Sequence, residues 1–298
     1  MEATRKHART ATLDIAYEES GPPDGAPVFL MHGFPDDVRA WDGVVPPLVA
    51  DGHRVIVPYL RGYGRTRFLS QATPRSGQQA ALGDDLRALM DALKIERAAL
   101  AGYDWGGRAC CIVSALWPER VSALVTIGGY NIQNILSSGN PAAPDREMRH
   151  WYQWYFHTER GREGLRANTT ELCALLWKLW SPNWNFDSAT LARTASSWQN
   201  PDFVDVVIQS YRHRHRAAPG DPALEHLEQR LAAQPRITIP TINLHGEADG
   251  VGPADPIDRD TNKFTAHYER RIIPTAGHFL PWEAPEAVIQ ALQNLKQT

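Results

Sequence analysis

Asp104 stands in the string Ala101-Gly102-Tyr103-Asp104-Trp105-Gly106-Gly107, the one carboxylate there, with glycine two positions away on either side. A sharp turn from a strand into a helix tolerates only small neighbours at such positions, and it lifts the central side chain above the C-terminal edge of a sheet. A carboxylate raised in that way can attack carbon without first losing a proton. Asp is also a good N-cap for the helix that follows, so the string alone does not separate chemistry from capping. Three other segments supply the context. Met31-His32-Gly33-Phe34-Pro35 follows a strand-like run and can aim the Phe34 N–H at the point that the Trp105 N–H also faces, making a two-donor oxyanion hole. Pro35 biases Phe34 to extended backbone, which helps fix the direction of its N–H. His32 itself reads as a hydrogen-bonding histidine that braces the loop rather than as a base. Ala276-Gly277-His278-Phe279-Leu280-Pro281 places His278 after the last strand-like run, where it can reach the turn across the sheet edge. His245-Gly246-Glu247-Ala248-Asp249-Gly250 follows the preceding run, and Asp249 there can hold the imidazole's tautomer and stabilise its charged form. The same aspartate before glycine also suits a turn. The order along the chain is nucleophile, acid, histidine.

The elements that must position these groups are legible as texture. From Thr12 to about Tyr130, apolar runs alternate with amphipathic stretches, the pattern of a parallel α/β sheet: 27–31, 54–57, 98–101 and 123–127. Between the second and third, Leu82, Leu86, Leu89, Met90 and Leu93 recur at helical spacing. After Tyr130 no strand-like run appears until Ile237, and the segment between is rich in tryptophan, which reads as an inserted helical cap with an apolar pocket beneath it. Strand-like runs return at 240–244 and 270–274, and a final helix spans 285–295. The expected division is therefore 1–130 for the first part of the core, 131–225 for the cap and 226–298 for the rest of the core.

Composition narrows the function classes. With 43% hydrophobic and 22% charged residues the 298-residue chain is not of the disordered type, and a net charge of -3 removes any general electrostatic case for nucleic acid or an anionic membrane as partner. No run approaches the roughly 18 apolar residues of a membrane span, and Arg5, Lys6, His7 and Arg9 are followed by no apolar stretch of signal-peptide length, so a cytoplasmic location is expected. Cys110, Cys111 and Cys173 lack the spacing of a zinc site and read as small buried hydrophobes. No metal and no organic cofactor is required, and a monomer or homodimer is expected.

His32-Gly33-Phe34-Pro35, Leu60-Arg61-Gly62-Tyr63-Gly64, Asp104-Trp105-Gly106-Gly107 and Gly277-His278 together resemble the α/β-hydrolase superfamily. Within it they are most similar to the aspartate-nucleophile branch of epoxide hydrolases and haloalkane or haloacetate dehalogenases. The resemblance implies an α/β-hydrolase fold, a mostly parallel sheet covered by helices with an inserted helical cap. It also implies hydrolysis of an epoxide to a vicinal diol through a covalent alkyl-aspartate, with Asp104 as nucleophile and His278, oriented by Asp249, activating water. In epoxide hydrolases two cap tyrosines hydrogen-bond the epoxide oxygen; Tyr152 in Tyr152-Gln153-Trp154-Tyr155-Phe156 and Tyr211 in Ser210-Tyr211-Arg212 match those positions. Tyr155, one helical turn from Tyr152, could reach inward instead. His32, Pro35, Trp105 and Tyr155 are expected against a small apolar-to-amphipathic substrate.

Dehalogenation by the same nucleophile is the alternative. Haloalkane dehalogenases usually carry asparagine at the place of Phe34, and fluoroacetate dehalogenases resemble this chain at Arg108 but have arginine where Trp105 stands. Two departures concern both families: Tyr103 replaces a histidine, and Pro58-Tyr59-Leu60 replaces Pro-Asp-Leu. A non-catalytic ligand receptor on the same fold is a third reading, but it would not need the nucleophile, acid and histidine together. An esterase fits poorly, because attack by Asp104 on an ester carbonyl would give an anhydride.

Overall fold

A computed structural model describes residues 4–296. One sheet of nine strands organises the chain: β1 (Thr4–Arg9), β2 (Leu13–Ser20), β3 (Ala26–Met31), β4 (His53–Pro58), β5 (Arg67–Phe68), β6 (Ala98–Tyr103), β7 (Val121–Ile127), β8 (Thr241–Gly246) and β9 (Tyr268–Ile273). Their spatial order is β1-β2-β4-β3-β6-β7-β8-β9, with β5 paired to β2. From β4 to β9 every pairing is parallel. Strands of this kind are covered on both faces, so their runs are apolar rather than alternating; Val28, Phe29, Leu30 and Met31 are all buried, as are Val55, Ile56 and Val57. The covering helices include Gln79–Ala92 and Asp104–Leu116, which pack on each other, and Pro285–Lys296 against β7 and β8. The three cysteines are buried thiols.

The edge formed by β1, β2 and β5 is not anticipated by the apolar runs. β1 is almost wholly exposed and β2 carries Glu18 and Glu19, both buried in spite of their charge. Lys6 and Arg54 lie 2.8 and 2.7 Å from the Glu19 carboxylate, and Arg39 pairs with Glu18. A buried carboxylate persists only when paired in this way, and the pairing removes the hydrophobic signature by which a strand is recognised.

Between β7 and β8 the chain forms helices alone, among them Pro144–Arg149, Trp151–Phe156, Glu159–Ala167, Thr169–Trp180 and Phe203–Arg214. They sit over the C-terminal edge of the sheet, where the ends of β3, β6, β8 and β9 converge. The helix Glu225–Ala232 returns to the sheet's helices, and the Glu228 carboxylate accepts from the Ala80 N–H at the start of Gln79–Ala92. No helix among the described residues is long and apolar enough to cross a membrane.

Candidate active site

β6 ends at Tyr103 and the helix begins at the next residue, with Asp104 at φ 48°. That left-handed conformation is strained for most side chains and least so for Asp and Asn. Strain of this kind persists where the surroundings over-determine it. The surroundings are the β3 loop: a Cβ on Gly106 would lie 2.1 Å from the Met31 carbonyl oxygen, and one on Gly33 would lie 2.5 Å from Asp104 Cβ. Only glycine allows the two loops to approach so closely, and the approach lets the Phe34 N–H donate to Asp104 Oδ1 at 2.8 Å. Trp105 follows in the first turn of Asp104–Leu116, where backbone N–H groups have no intrahelical acceptor. Its ring stacks on Phe34 at 5.7 Å.

The loops after β8 and β9 bring in the second and third groups. His278 Nδ1 donates to Asp249 Oδ2 at 2.9 Å, while Asp249 Oδ1 accepts the Val251 and Gly252 N–H groups at 2.7 and 3.2 Å. His278 Nε2 is buried without a hydrogen-bond partner and lies 3.9 Å from Asp104 Oδ2. The three residues are thus brought together in the order expected. Both loops are tied to the inserted helices by one atom: the carbonyl oxygen of Trp180 accepts the Gly250 N–H at 2.9 Å and the His278 N–H at 3.1 Å. Glu283 accepts from the Gly277 N–H at 3.0 Å and from Ser181 Oγ at 2.6 Å. Trp180, Ser181 and Glu283 escape a reading of the sequence because they act on loop backbone and form no motif.

Burial pushes the His278 imidazole towards its neutral form, but the Asp249 carboxylate and its hydrogen bond outweigh burial, so the pKa is raised. Burial likewise pushes Asp249 up, and the attraction of His278 with the loop N–H groups more than reverses it, so Asp249 is held below its usual value. A raised imidazole pKa extends the charged, inactive form to higher pH. A base-dependent step should therefore lose rate as pH falls through a midpoint above about 6.5, the unperturbed histidine value. Asp249→Asn should move that midpoint down, and a pH profile of single-turnover ester hydrolysis measures it; an unmoved midpoint would mean that another group titrates.

Tyr152 is buried and lines the same cavity as Asp104 and His278. Gln153 Nε2 donates to the Tyr152 hydroxyl oxygen at 3.0 Å, which leaves the phenol proton free to donate elsewhere. Tyr211 packs edge to face on Tyr152 at 5.3 Å and also touches Phe34 and Trp105. Burial raises both phenols, Tyr152 to about 12 and Tyr211 well above its usual value, so both carry their protons at neutral pH.

Tyr155 does not share this face. Its hydroxyl lies over Gly164, where a Cβ would come within 1.9 Å, and its ring packs on Trp151 and Phe156. The short helix Trp151–Phe156 separates residues 152 and 155 by about 60° of rotation, enough to turn Tyr155 onto the helix Glu159–Ala167. His32, Pro35, Trp105 and Tyr211 are also absent from the cavity wall, the rings of Trp105 and Tyr211 being packed on Phe34. Both His32 nitrogens are engaged by backbone, Nε2 accepting from the Leu60 N–H at 3.1 Å and Nδ1 lying 3.1 Å from the Gly33 carbonyl, and burial lowers its pKa to about 4. Pro35 is buried, and its carbonyl accepts from Trp198 Nε1 at 2.6 Å. Tyr103, the departure noted at the residue before Asp104, donates to Asp36 Oδ2 at 2.7 Å, an oxygen that Trp282 Nε1 also reaches at 2.8 Å.

The cavity is not apolar. It has a volume of about 230 Å³ and is lined by Asp104, Arg108, Asn131, Arg146, His150, Tyr152, Gln153, Arg214, Asp249 and His278, with few apolar side chains between them. The expectation of an apolar pocket fails because the aromatic rings pack on one another instead of lining space. Phe34 is enclosed by Trp105, Phe156, Trp180, Phe203 and Tyr211, and Trp177 by Trp184, Phe186, Trp198 and Phe279.

The family model for the alpha/beta hydrolase fold matches residues 26–285, which includes every one of these groups. The chain belongs to the α/β-hydrolase fold family. This hydrolase is 45% identical to a Klebsiella pneumoniae protein provisionally described as an epoxide hydrolase, whose crystal structure superposes with a TM-score of 0.97 over 99% of this chain and 98% of that one. It is 33% identical over 324 residues to an epoxide hydrolase of Caballeronia sordidicola, covering 97% of this chain and 92% of the relative. A haloalkane dehalogenase of Psychrobacter cryohalolentis is 25% identical over 296 residues, 94% of this chain and 86% of that protein.

Proposed function

We propose that this hydrolase converts an epoxide to a vicinal diol through an ester formed on Asp104. The observation that carries the reading is the set of contacts around one carboxylate. Oδ1 is held by the Phe34 N–H, Oδ2 lies 3.9 Å from a histidine oriented by Asp249, and the protonated phenol of Tyr152 lines the same cavity. Oδ2 attacks a ring carbon and the ring C–O bond breaks, while Tyr152 or Tyr211 gives its proton to the leaving oxygen. His278 then takes a proton from water as the water oxygen adds to the Asp104 carbonyl carbon. Oδ1 becomes the oxyanion, stabilised by Phe34 and Trp105 N–H groups at about 3 kcal/mol for each donor. Collapse expels the alkoxide, which takes the proton of the new carboxylic acid, and the imidazolium proton restores the phenol. A serine at this position would form an ether with no carbonyl to hydrolyse.

One observation favours a second reading. Trp105, the residue after Asp104, has its Nε1 buried without a hydrogen-bond partner, and an unpartnered donor of that kind would suit a halide leaving group. Incubation with neutral and charged epoxides, chloroacetate and a bromoalkane separates the two: diol without halide release supports the first, and halide release without diol the second. Loss of a proton donor should also be specific to epoxide chemistry. Tyr152→Phe is expected to slow alkylation of Asp104 by about 100-fold, within the usual range for a general acid, and to change hydrolysis of the ester far less. Rapid-quench measurement of both steps checks it, and equal slowing would remove the acid role.

A further inference from the structure

Three guanidinium groups reach the cavity that holds Asp104: Arg108 from the helix after β6, Arg146 from the helix Pro144–Arg149, and Arg214 from the last residue of Phe203–Arg214. None of the three forms an ion pair among the described residues. Arg108 is 6% exposed, and among the described residues its side chain makes one hydrogen bond, a long one from Nε to the Asn131 carbonyl at 3.4 Å. Arg214 stands with its guanidinium carbon 4.6 Å from the centroid of Tyr211, and its Nε and Nη2 are shut off from solvent with no acceptor. Arg146 is exposed at the mouth. Buried cations ordinarily find carboxylates, yet the only carboxylates on the cavity wall are Asp104 and Asp249, and Asp249 is committed to His278. Burial, and after it the neighbouring Arg214, pull the Arg108 guanidinium down to about 10 in spite of the opposing charge of Asp104. Burial with Arg214 and Arg146 likewise holds His150 near 4, so its ring adds no further charge.

Three cations against two carboxylates leave one positive charge in surplus when His278 is neutral, as a base must be. An apolar epoxide would leave that charge and the open Arg214 N–H groups uncompensated. A monoanion would satisfy both, because the planar fork of a guanidinium matches a carboxylate.

We propose that the substrate is a small epoxide bearing a carboxylate, which Arg214 and Arg108 bind in the cavity and Arg146 attracts at its mouth. The inference rests on the epoxide reading for the reacting end, and on the arginines alone for the charged end. The cavity volume of about 230 Å³ limits the substrate to a few heavy atoms beyond the ring and its carboxylate. Discrimination arises because the neutral analogue leaves the arginines unpaired, the condition in which a polar site rejects a near-isostere most strongly.

The test compares oxirane-2-carboxylate with its neutral amide. The carboxylate is expected to have a kcat/KM at least tenfold higher, and Arg214→Gln should lower that ratio tenfold or more. Arg146→Gln, an exposed change that cannot unfold the protein, should lower it severalfold, and more at low salt than at high. Equal kcat/KM for acid and amide in the wild-type protein would overturn the anion site and leave the epoxide reading intact. If neither epoxide turns over, the epoxide reading falls, and calorimetric titration of glycerate into Asp104→Asn protein decides the site by itself. Binding that disappears on adding Arg214→Gln supports the site, and no binding, or binding indifferent to Arg214, overturns it.

Discussion

Asp104→Asn should reduce turnover by about 10⁴-fold or more, the scale seen when a nucleophile is removed from a covalent mechanism. The substitution isolates chemistry from folding unusually well. Asn is the other residue that accepts φ near 48° readily, so the turn keeps its conformation. Its side-chain oxygen can still accept the Phe34 N–H that now donates to Asp104 Oδ1 at 2.8 Å. What is lost is the anionic Oδ2, 3.9 Å from His278. Steady-state diol formation together with a thermal melt checks this. A variant that melts near the wild-type temperature and retains more than about one hundredth of the activity would mean that Asp104 does not attack.

His278→Gln should stop the cycle half-way, with one equivalent of substrate bound to Asp104 and almost no product. Alkylation needs the carboxylate and a phenol proton, and neither comes from His278. Ester hydrolysis needs a base beside the Asp104 carbonyl, and His278 Nε2 is the one basic atom there without a hydrogen-bond partner. Glutamine can keep a hydrogen bond towards Asp249 without supplying a base. The Gly250 and His278 N–H groups hold the Trp180 carbonyl through backbone alone, so the loop keeps its anchor. Intact mass after exposure to an epoxide should rise by the mass of one epoxide. An inactive variant of unchanged mass would show that His278 acts before or during attack on carbon.

How much of this was legible in the sequence differs from group to group. The elbow and its partners could be read because each rests on a local rule: glycines where backbones must touch, an aspartate before a helix, a histidine after the last strand. The parallel strands could be read because burial on both faces writes an apolar run. β2 could not, since Glu18 and Glu19 are buried through ion pairs with residues 13 to 35 positions away, Lys6, Arg39 and Arg54 among them. Tyr152 and Tyr155 could not be separated by spacing on a six-residue helix; the packing of Tyr155 on Gly164 separates them. The character of the cavity is not legible for a related reason. Tryptophans in a helical segment signal apolar volume but not whether it is filled, and here Trp177 and Trp180 are packed against other rings. Arg214 left no clearer signal: its guanidinium lies over the Tyr211 ring and reaches the cavity wall through the packing of the inserted helices, and a three-residue spacing no more fixes its direction than it fixes that of Tyr155. Arg212 in the same helix faces away and pairs with Glu159, which sequence alone does not distinguish.

The attack of Asp104 on carbon, with later release of the ester by water, is tested most directly by a single turnover in ¹⁸O-labelled water with enzyme in excess over epoxide. The two-step scheme predicts a first diol free of label, because its new oxygen comes from the carboxylate, and a peptide containing Asp104 that has gained ¹⁸O. A first diol that carries the label, with that peptide unlabelled, would mean that water attacks the ring itself and would contradict the scheme.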